Sequence, residues 1–568
     1  MTKTEDYFRR RVALPLGAAV FAALGLSTST TVVEAADQII HDAEFVLVRD
    51  QHIETWKSQD AELSARLAEI RQRNGGAPPN IIYILIDDLG FGEFGIPELN
   101  QVRGYKTPSL NELAENGLSF SRMYTEPSCT PTRAAFLTGR HPIRSHMLEA
   151  KIVPPEGSGL HADEVTLAEV LSSAGYSTAH IGKWHQGDIE QAYPHNQGFD
   201  YASFAMHNQA AYGMMTADGE AERWAFSVAP DANDGNYVLD NSFRPNGWLL
   251  ALEGEKGGKA REWGITAGEP MGYDHYDAMN NRFQEQAIEQ LRKLATDDKP
   301  FFLNYWPMKP VDFSRAGLEL KTDNRGSWVE SMQVLDGWIG DLLGEVETLG
   351  IADNTIIVAM GDNGTMQQGV PYIGFTDMIY RGFKGHTTEG GIRVSAFVKW
   401  PDAIEAGSTA GDMVHVSDLY TTLANIAGAT DFIPTDRVID GIDQTALFLE
   451  GDTNGRRDYL HVYDGPNIKA SIKNEFKIHW PSPGTAGFKL PIFNLYRDPR
   501  EEYPLDTQGM WTVAFFADMQ ARHMALKETY PDRPETHGEP YAGIENLRPE
   551  TEELLSKFHA AQKMLNRN

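Results

Sequence analysis

Asn80-Ile81-Ile82-Tyr83-Ile84-Leu85-Ile86 is a nearly unbroken apolar run. Such a run predicts a strand buried on both faces, not one with a wet side. Pro300–Tyr305 and Thr355–Met360 have the same texture. Between these runs the spacing of apolar positions turns helical. Helices are predicted over Pro108–Asn116, stopped by Gly117, and over Thr166–Ala174, stopped by Gly175 and followed by a strand Ser177–Ile181. Two more are predicted over Phe283–Ala295 and Trp328–Leu349. Strands alternating with helices predict an α/β fold, a largely parallel sheet with helices on both sides.

Both ends of the chain differ from this middle. From Asp37 to Arg73, residues such as Phe45, Val48, Leu63, Leu67 and Ile70 recur largely at helical spacings, and Asn74-Gly75-Gly76-Ala77-Pro78-Pro79 ends the pattern. This predicts an added helical arm that packs either on its own domain, the favoured reading, or on a partner subunit. After about Asn454 the runs become short: Tyr459–Tyr463, Lys469–Ile472 and Phe476–Trp480 predict a small antiparallel sheet, with a closing helix near Glu552–Met564. At the N-terminus, Arg9-Arg10-Arg11 precede an apolar stretch Val12–Leu26, and Val33-Glu34-Ala35 offers small residues for cleavage. That arrangement predicts a secretion signal, by the twin-arginine or the general route. The expected organisation is a signal peptide over 1–35, the arm over 36–79, a main catalytic domain over 80–453 and a C-terminal subdomain over 454–568. The mature chain is expected to be exported, to the periplasm or beyond, and free of the membrane.

Composition narrows the partners. The formal net charge of −30 opposes binding to nucleic acid or to an anionic membrane surface. An anionic substrate would need a locally positive pocket to overcome that field. One cysteine in 568 residues rules out an intramolecular disulfide, so a large core must carry stability.

That cysteine, Cys129, stands in Ser128-Cys129-Thr130-Pro131-Thr132-Arg133, ahead of Leu137-Thr138-Gly139-Arg140. By default a lone cysteine is a small buried hydrophobe. The gap from Cys129 to Arg133 is too short for a tyrosine-phosphatase-type thiolate loop. Two polar pairs, Asp87-Asp88 and Asp362-Asn363, each end an apolar strand. Either pair alone would serve as a helix cap or turn. Together at neighbouring strand ends they would supply oxygen ligands for a hard cation, Ca2+ rather than Mg2+ because an irregular cage suits the larger ion. Gly182-Lys183-Trp184-His185 follows another strand, and its Lys and His project to one side in an extended chain.

The run Cys-x-Pro-x-Arg followed by Leu-Thr-Gly-Arg resembles the sulfatase signature. Gly182–His185 resembles that family's second motif. Lys384-Gly385, Glu389-Gly390-Gly391-Ile392-Arg393 and Trp400-Pro401 resemble a further segment, with Ser395 where proline is usual. Asp440–Asp443 and Asn494–Glu501 match later landmarks, so the resemblance covers about Asn80 to Asp506. It implies the alkaline-phosphatase-like fold and hydrolysis of aryl or carbohydrate sulfate esters. It also implies that a formylglycine-generating enzyme oxidises Cys129 to formylglycine. Asp87, Asp88, Asp362, Asn363 and oxidised Cys129 would then hold the cation. Arg133 would hold the formylglycine, Lys183 and Lys384 would clamp the sulfate, and His185 would bond to the aldehyde hydrate.

One landmark is missing. The histidine that in the family follows the Phe-Phe-Leu strand is replaced here by Trp306-Pro307-Met308-Lys309-Pro310. Lys309, His275 and His207 are the candidates to protonate the leaving group. Two other readings keep the fold: a phosphodiester or phosphonate monoester hydrolase, and a silent relative that only binds sulfated glycans. The second would be expected to have lost a ligand or Arg133, and neither is lost.

Overall fold

The strand Asn80–Ile86 lies in the middle of an eleven-stranded sheet, and Ile81 to Ile86 are all buried, as the unbroken apolar run requires. The computed structural model of the chain describes residues 39–150, 157–206, 251–263, 273–309, 327–366, 379–481, 490–505 and 508–539. The expected signal peptide and the expected closing helix near Glu552–Met564 lie outside them.

Along the sheet the order is Ser408–Ala410, Leu118–Tyr124, Arg393–Lys399, Thr355–Gly361, Asn80–Ile86, Phe301–Trp306, Ser177–Lys183, Tyr201–Ala205, Ala251–Glu255 and Arg261–Trp263. Val414–His415 adds to Leu118–Tyr124 off this path. The five strands from Thr355–Gly361 to Tyr201–Ala205 run parallel to one another. Arg393–Lys399 runs antiparallel to both its neighbours, and the two outermost hairpin strands at the far edge are antiparallel as well. The sheet is thus mixed and largely parallel, as expected.

Period-two alternation divides the core into two layers. Ile81, Tyr83 and Leu85 face one side, against Phe136, Leu171 and Leu423 from the helices Cys129–Thr138, Leu167–Ser173 and Asp418–Ala427. Ile82, Ile84 and Ile86 face the other, against Leu113, Phe283 and Leu335 from the helices Pro108–Glu115, Tyr273–Ala295 and Ser327–Thr348. Helix Tyr273–Ala295 begins ten residues before the apolar pattern does, because its first turns carry mostly polar residues.

The arm is one helix, Ala43–Arg73, capped by the Asp42 carboxylate on Glu44 N at 2.9 Å. It packs on its own chain. Leu63, Leu67 and Ile70 join the first core layer, and Phe45 joins a cluster with Phe516 and Met519 of the helix Val513–Thr529. Beyond the sheet, Tyr459–Asp464, Asn467–Lys473, Phe476–His479 and Ile492–Asn494 form a small antiparallel sheet in chain order. No helix among the described residues is long and apolar enough to cross a membrane.

Ile70 is 2 % exposed at the arm's core-facing end. Ile70→Ala is therefore expected to cost ~2–4 kcal/mol of stability, read as a lower denaturant midpoint. An unchanged midpoint would contradict the packing of the arm on the sheet layer.

Candidate functional site

Parallel pairing of Asn80–Ile86 with Thr355–Gly361 sets Ile86 opposite Gly361. The residues that follow, Asp87 and Asp362, therefore leave the sheet side by side, with Asp362 N donating to Ile86 O at 3.0 Å. Open α/β sheets place function at this C-terminal edge. Asp88 takes a left-handed backbone, φ 56°, and its N–H donates to Asp362 Oδ1 at 2.9 Å. Asn363 Nδ2 donates to Asp88 Oδ1 at 2.9 Å. All four side chains are buried.

Cys129 opens the helix Cys129–Thr138, every residue of which is buried. One oxygen from each of Asp87, Asp88 and Asp362 lies within 4.8 Å of the others and of the Cys129 sulfur. Asp87 Oδ2, Asp88 Oδ2 and Asn363 Oδ1 are buried with no hydrogen-bond partner. A buried carboxylate oxygen without a donor is costly. An oxygen-rich set of this kind fits a hard divalent cation and has no imidazole to favour a softer one.

Three cations face the three carboxylates. Arg133, one helical turn from Cys129, donates to Asp362 Oδ2 at 2.7 Å and Asp87 Oδ1 at 3.2 Å. Lys183 Nζ lies 2.6 Å from Asp87 Oδ1, and Lys384 Nζ 2.7 Å from Asp88 Oδ1. Burial alone would raise the Asp87 pKa, but Lys183, Arg133 and Lys384 hold it well below the usual carboxylate range. Asp362 goes the other way: burial, then the neighbouring Asp87 charge, push it well above. Burial would lower the Lys384 pKa, yet Asp88 and its neighbours keep it well above the ordinary lysine value.

The lysines are placed by close backbone approaches. Gly182 sits in the Ser177–Lys183 strand at φ 107°, and a Cβ there would meet Trp306 O at 2.1 Å. Lys384 N donates to Thr365 O at 2.9 Å and Gly385 N to Pro127 O at 2.7 Å, which ties this segment to the Asp362 and Cys129 loops. Gly364 N donates to Gly391 O at 2.9 Å. His185 is buried at φ 62° just past Lys183.

Lys309 is buried three residues beyond the strand Phe301–Trp306, at the same sheet edge as Asp87 and Lys183. His275 lies in the first turn of Tyr273–Ala295 with its side chain outside the described residues, and His207 lies outside them altogether. Ser395, where the family usually has proline, sits at an irregularity in the pairing of Arg393–Lys399, and its hydroxyl accepts from Gly92 N at 2.8 Å. Asp440 serves structure: it is clamped by Arg144 at 2.7 and 2.8 Å. Trp306 was not singled out as a site residue from the sequence. The Arg133 guanidinium carbon lies 4.7 Å from the centre of its ring, a cation–π contact that spacing alone does not reveal.

The family model described as Sulfatase matches residues 79–429. The chain is 30% identical over 472 residues to N-acetylgalactosamine-6-sulfatase of Canis lupus familiaris, covering 75% of this chain and 82% of that protein. It is 31% identical over 458 residues to arylsulfatase A of Homo sapiens, covering 75% and 83%. Among solved structures it is similar to the PsFucS1 sulfatase from Pseudoalteromonas sp., with 27% identity, a TM-score of 0.71 and coverage of 84% of this chain and 96% of that one.

A Cβ at Gly364 would lie 1.9 Å from Gly390 O. Gly364→Ala is therefore expected to push the Asp362-Asn363 loop away from the segment carrying Lys384 and to lose ~10²-fold or more in turnover. Wild-type turnover in a folded Gly364→Ala protein would contradict this coupling.

Proposed function

The chain belongs to the sulfatase family of sulfuric ester hydrolases, and from that premise we propose that it cleaves aryl or carbohydrate sulfate esters with a nucleophile made by oxidation of Cys129. The observation that carries the reading is the buried convergence of Asp87, Asp88, Asp362 and Cys129 beside Arg133, Lys183 and Lys384. Relatives named N-acetylgalactosamine-6-sulfatase and arylsulfatase A support that substrate class.

Charge balance supports an anionic substrate. With a cation bound to hold all three carboxylates ionised, they cancel the three cationic side chains. That divalent cation, Ca2+ by the irregular oxygen cage, would then leave the pocket positive by two in a chain whose net charge is −30. Asp87, Asp88, Asp362 and Asn363 would hold the cation, with Cys129, once converted, completing its shell. When bound it supplies a Lewis acid for the nucleophile and for a sulfate oxygen. The aldehyde formed from Cys129 supplies, as its hydrate, a nucleophile that can later expel sulfate.

The remaining work falls to the chain's own side chains. Lys183, bonded to Asp87, and Lys384, bonded to Asp88, would bind sulfate oxygens and stabilise the charge that grows on them. Arg133, fixed by two carboxylates and the Trp306 face, would orient residue 129 and offset its negative charge. His185 would hydrogen-bond to residue 129 and take its proton. Lys309 would give a proton to the departing oxygen. The maturation enzyme that oxidises Cys129 is the expected protein partner, and export is the expected destination.

Turnover of an aryl sulfate, with little on the matching aryl phosphodiester, tests the reading. Cys129→Ala is expected to lose at least ~10³-fold in kcat, and Lys183→Ala or Lys384→Ala about 10²–10³-fold each. Chelation followed by Ca2+ add-back should remove and restore activity. Phosphodiester turnover exceeding sulfate turnover would contradict the substrate class.

Lys309→Ala is expected to slow a carbohydrate sulfate about 10²-fold while barely changing an activated aryl sulfate, because a phenol leaves with little protonation. Equal losses on both substrates would remove Lys309 from that role.

A further inference from the structure

Well separated in sequence, three buried side chains meet apart from the acidic site: Asp42 at the cap of the arm helix, His461 in Tyr459–Asp464 and His523 in Val513–Thr529. One ligand atom from each lies within 4.8 Å of the others. The two imidazole rings are 4.5 Å apart between centres.

Each side chain is oriented by its other polar atom. Asp42 Oδ1 accepts from Glu44 N at 2.9 Å. His461 Nδ1 lies 3.1 Å from the Ser471 hydroxyl, and His523 Nε2 lies 2.6 Å from the Tyr463 hydroxyl. That leaves Asp42 Oδ2, His523 Nδ1 and His461 Nε2 for the cluster. Asp42 Oδ2 and His523 Nδ1 are in contact, and His461 Nε2 is buried with no hydrogen-bond partner. An imidazole nitrogen left bare in the interior costs ~1–3 kcal/mol. The pattern of one ring nitrogen on a hydroxyl and the other presented inward is how metal-ligating histidines are held.

We propose that Asp42, His461 and His523 form a second metal site that takes zinc or a similar late first-row divalent ion. Two imidazoles and one carboxylate suit such an ion and disfavour calcium. Burial drives the His461 pKa well below its ordinary value and lowers that of His523, while the neighbouring histidines hold Asp42 well below the carboxylate range against its own burial. Neutral imidazole and ionised carboxylate are the ligating forms. The nearby Arg144 charge is already met by Asp440, and His141, whose ring is 6.0 Å from that of His523, is bonded to Glu126. Three protein ligands would leave one position of a four-coordinate ion to a water molecule. Full burial makes this a structural site. It fastens the start of the arm to the small sheet and to the helix Val513–Thr529, and it does not rest on the hydrolytic reading.

The test uses the full chain, stripped with a chelator, saturated with Ca2+ and dialysed against Zn2+, with metal counted by mass spectrometry. One zinc per chain is expected, lost by more than ~tenfold in affinity in His461→Gln and retained in Asp362→Asn. Cobalt in place of zinc should give the visible absorption of a four-coordinate nitrogen–oxygen site. Should His461→Gln fail to fold, an anomalous peak at the zinc edge between Asp42, His461 and His523 in crystals of the unaltered protein decides the matter in favour. Absence of bound zinc, zinc unaffected by His461→Gln, zinc lost with Asp362→Asn, or no peak at the trio would each overturn the proposal.

Discussion

The site depends on one constraint, the parallel register that sets Ile86 against Gly361. It delivers Asp87 and Asp362 to the same point, where two buried carboxylates repel each other unless positive charge is supplied. Arg133, Lys183 and Lys384 supply it within the protein. The rest of the fold can be read as what brings those three cations to one sheet edge. Arg133 arrives on the helix Cys129–Thr138, Lys183 at the end of the parallel strand Ser177–Lys183, beyond Phe301–Trp306 in the sheet, and Lys384 on a segment held by glycine contacts.

Much of this was legible in the chain. Apolar runs such as Asn80–Ile86 and Thr355–Gly361 announce themselves because both faces are buried, and the polar pair at the end of each, Asp87-Asp88 and Asp362-Asn363, marks where the sheet edge would be. The arm helix was equally plain from its spacing. The fold class and the family expected from the motifs are borne out. The helix Cys129–Thr138 was not predicted, since Thr130, Pro131, Thr132 and Arg133 are mostly polar residues and give no amphipathic stripe even though all are buried. The helix Val513–Thr529 was missed for a related reason: only Phe516, Met519 and His523 of its residues are buried. The stack of Arg133 on Trp306 and the fit of Gly364 against Gly390 depend on contacts between distant segments, which no local pattern encodes.

The departures from the family pattern are local. Ser395 stands at a break in strand pairing, where a hydroxyl can accept the Gly92 N–H without disturbing the ladder. Lys309 stands near the place of the usual histidine and is buried at the reactive edge. In the proposed mechanism a lysine there would take over the proton-donor role of that histidine.

The account's central claim is that Cys129 is the precursor of the nucleophile. Its most direct test is mass spectrometry of the tryptic peptide Met123–Arg133 from protein made in a host that contains the maturation enzyme. The account predicts the mass of the aldehyde or its hydrate at residue 129. Intact thiol alone, in protein that turns over no aryl sulfate, would contradict it.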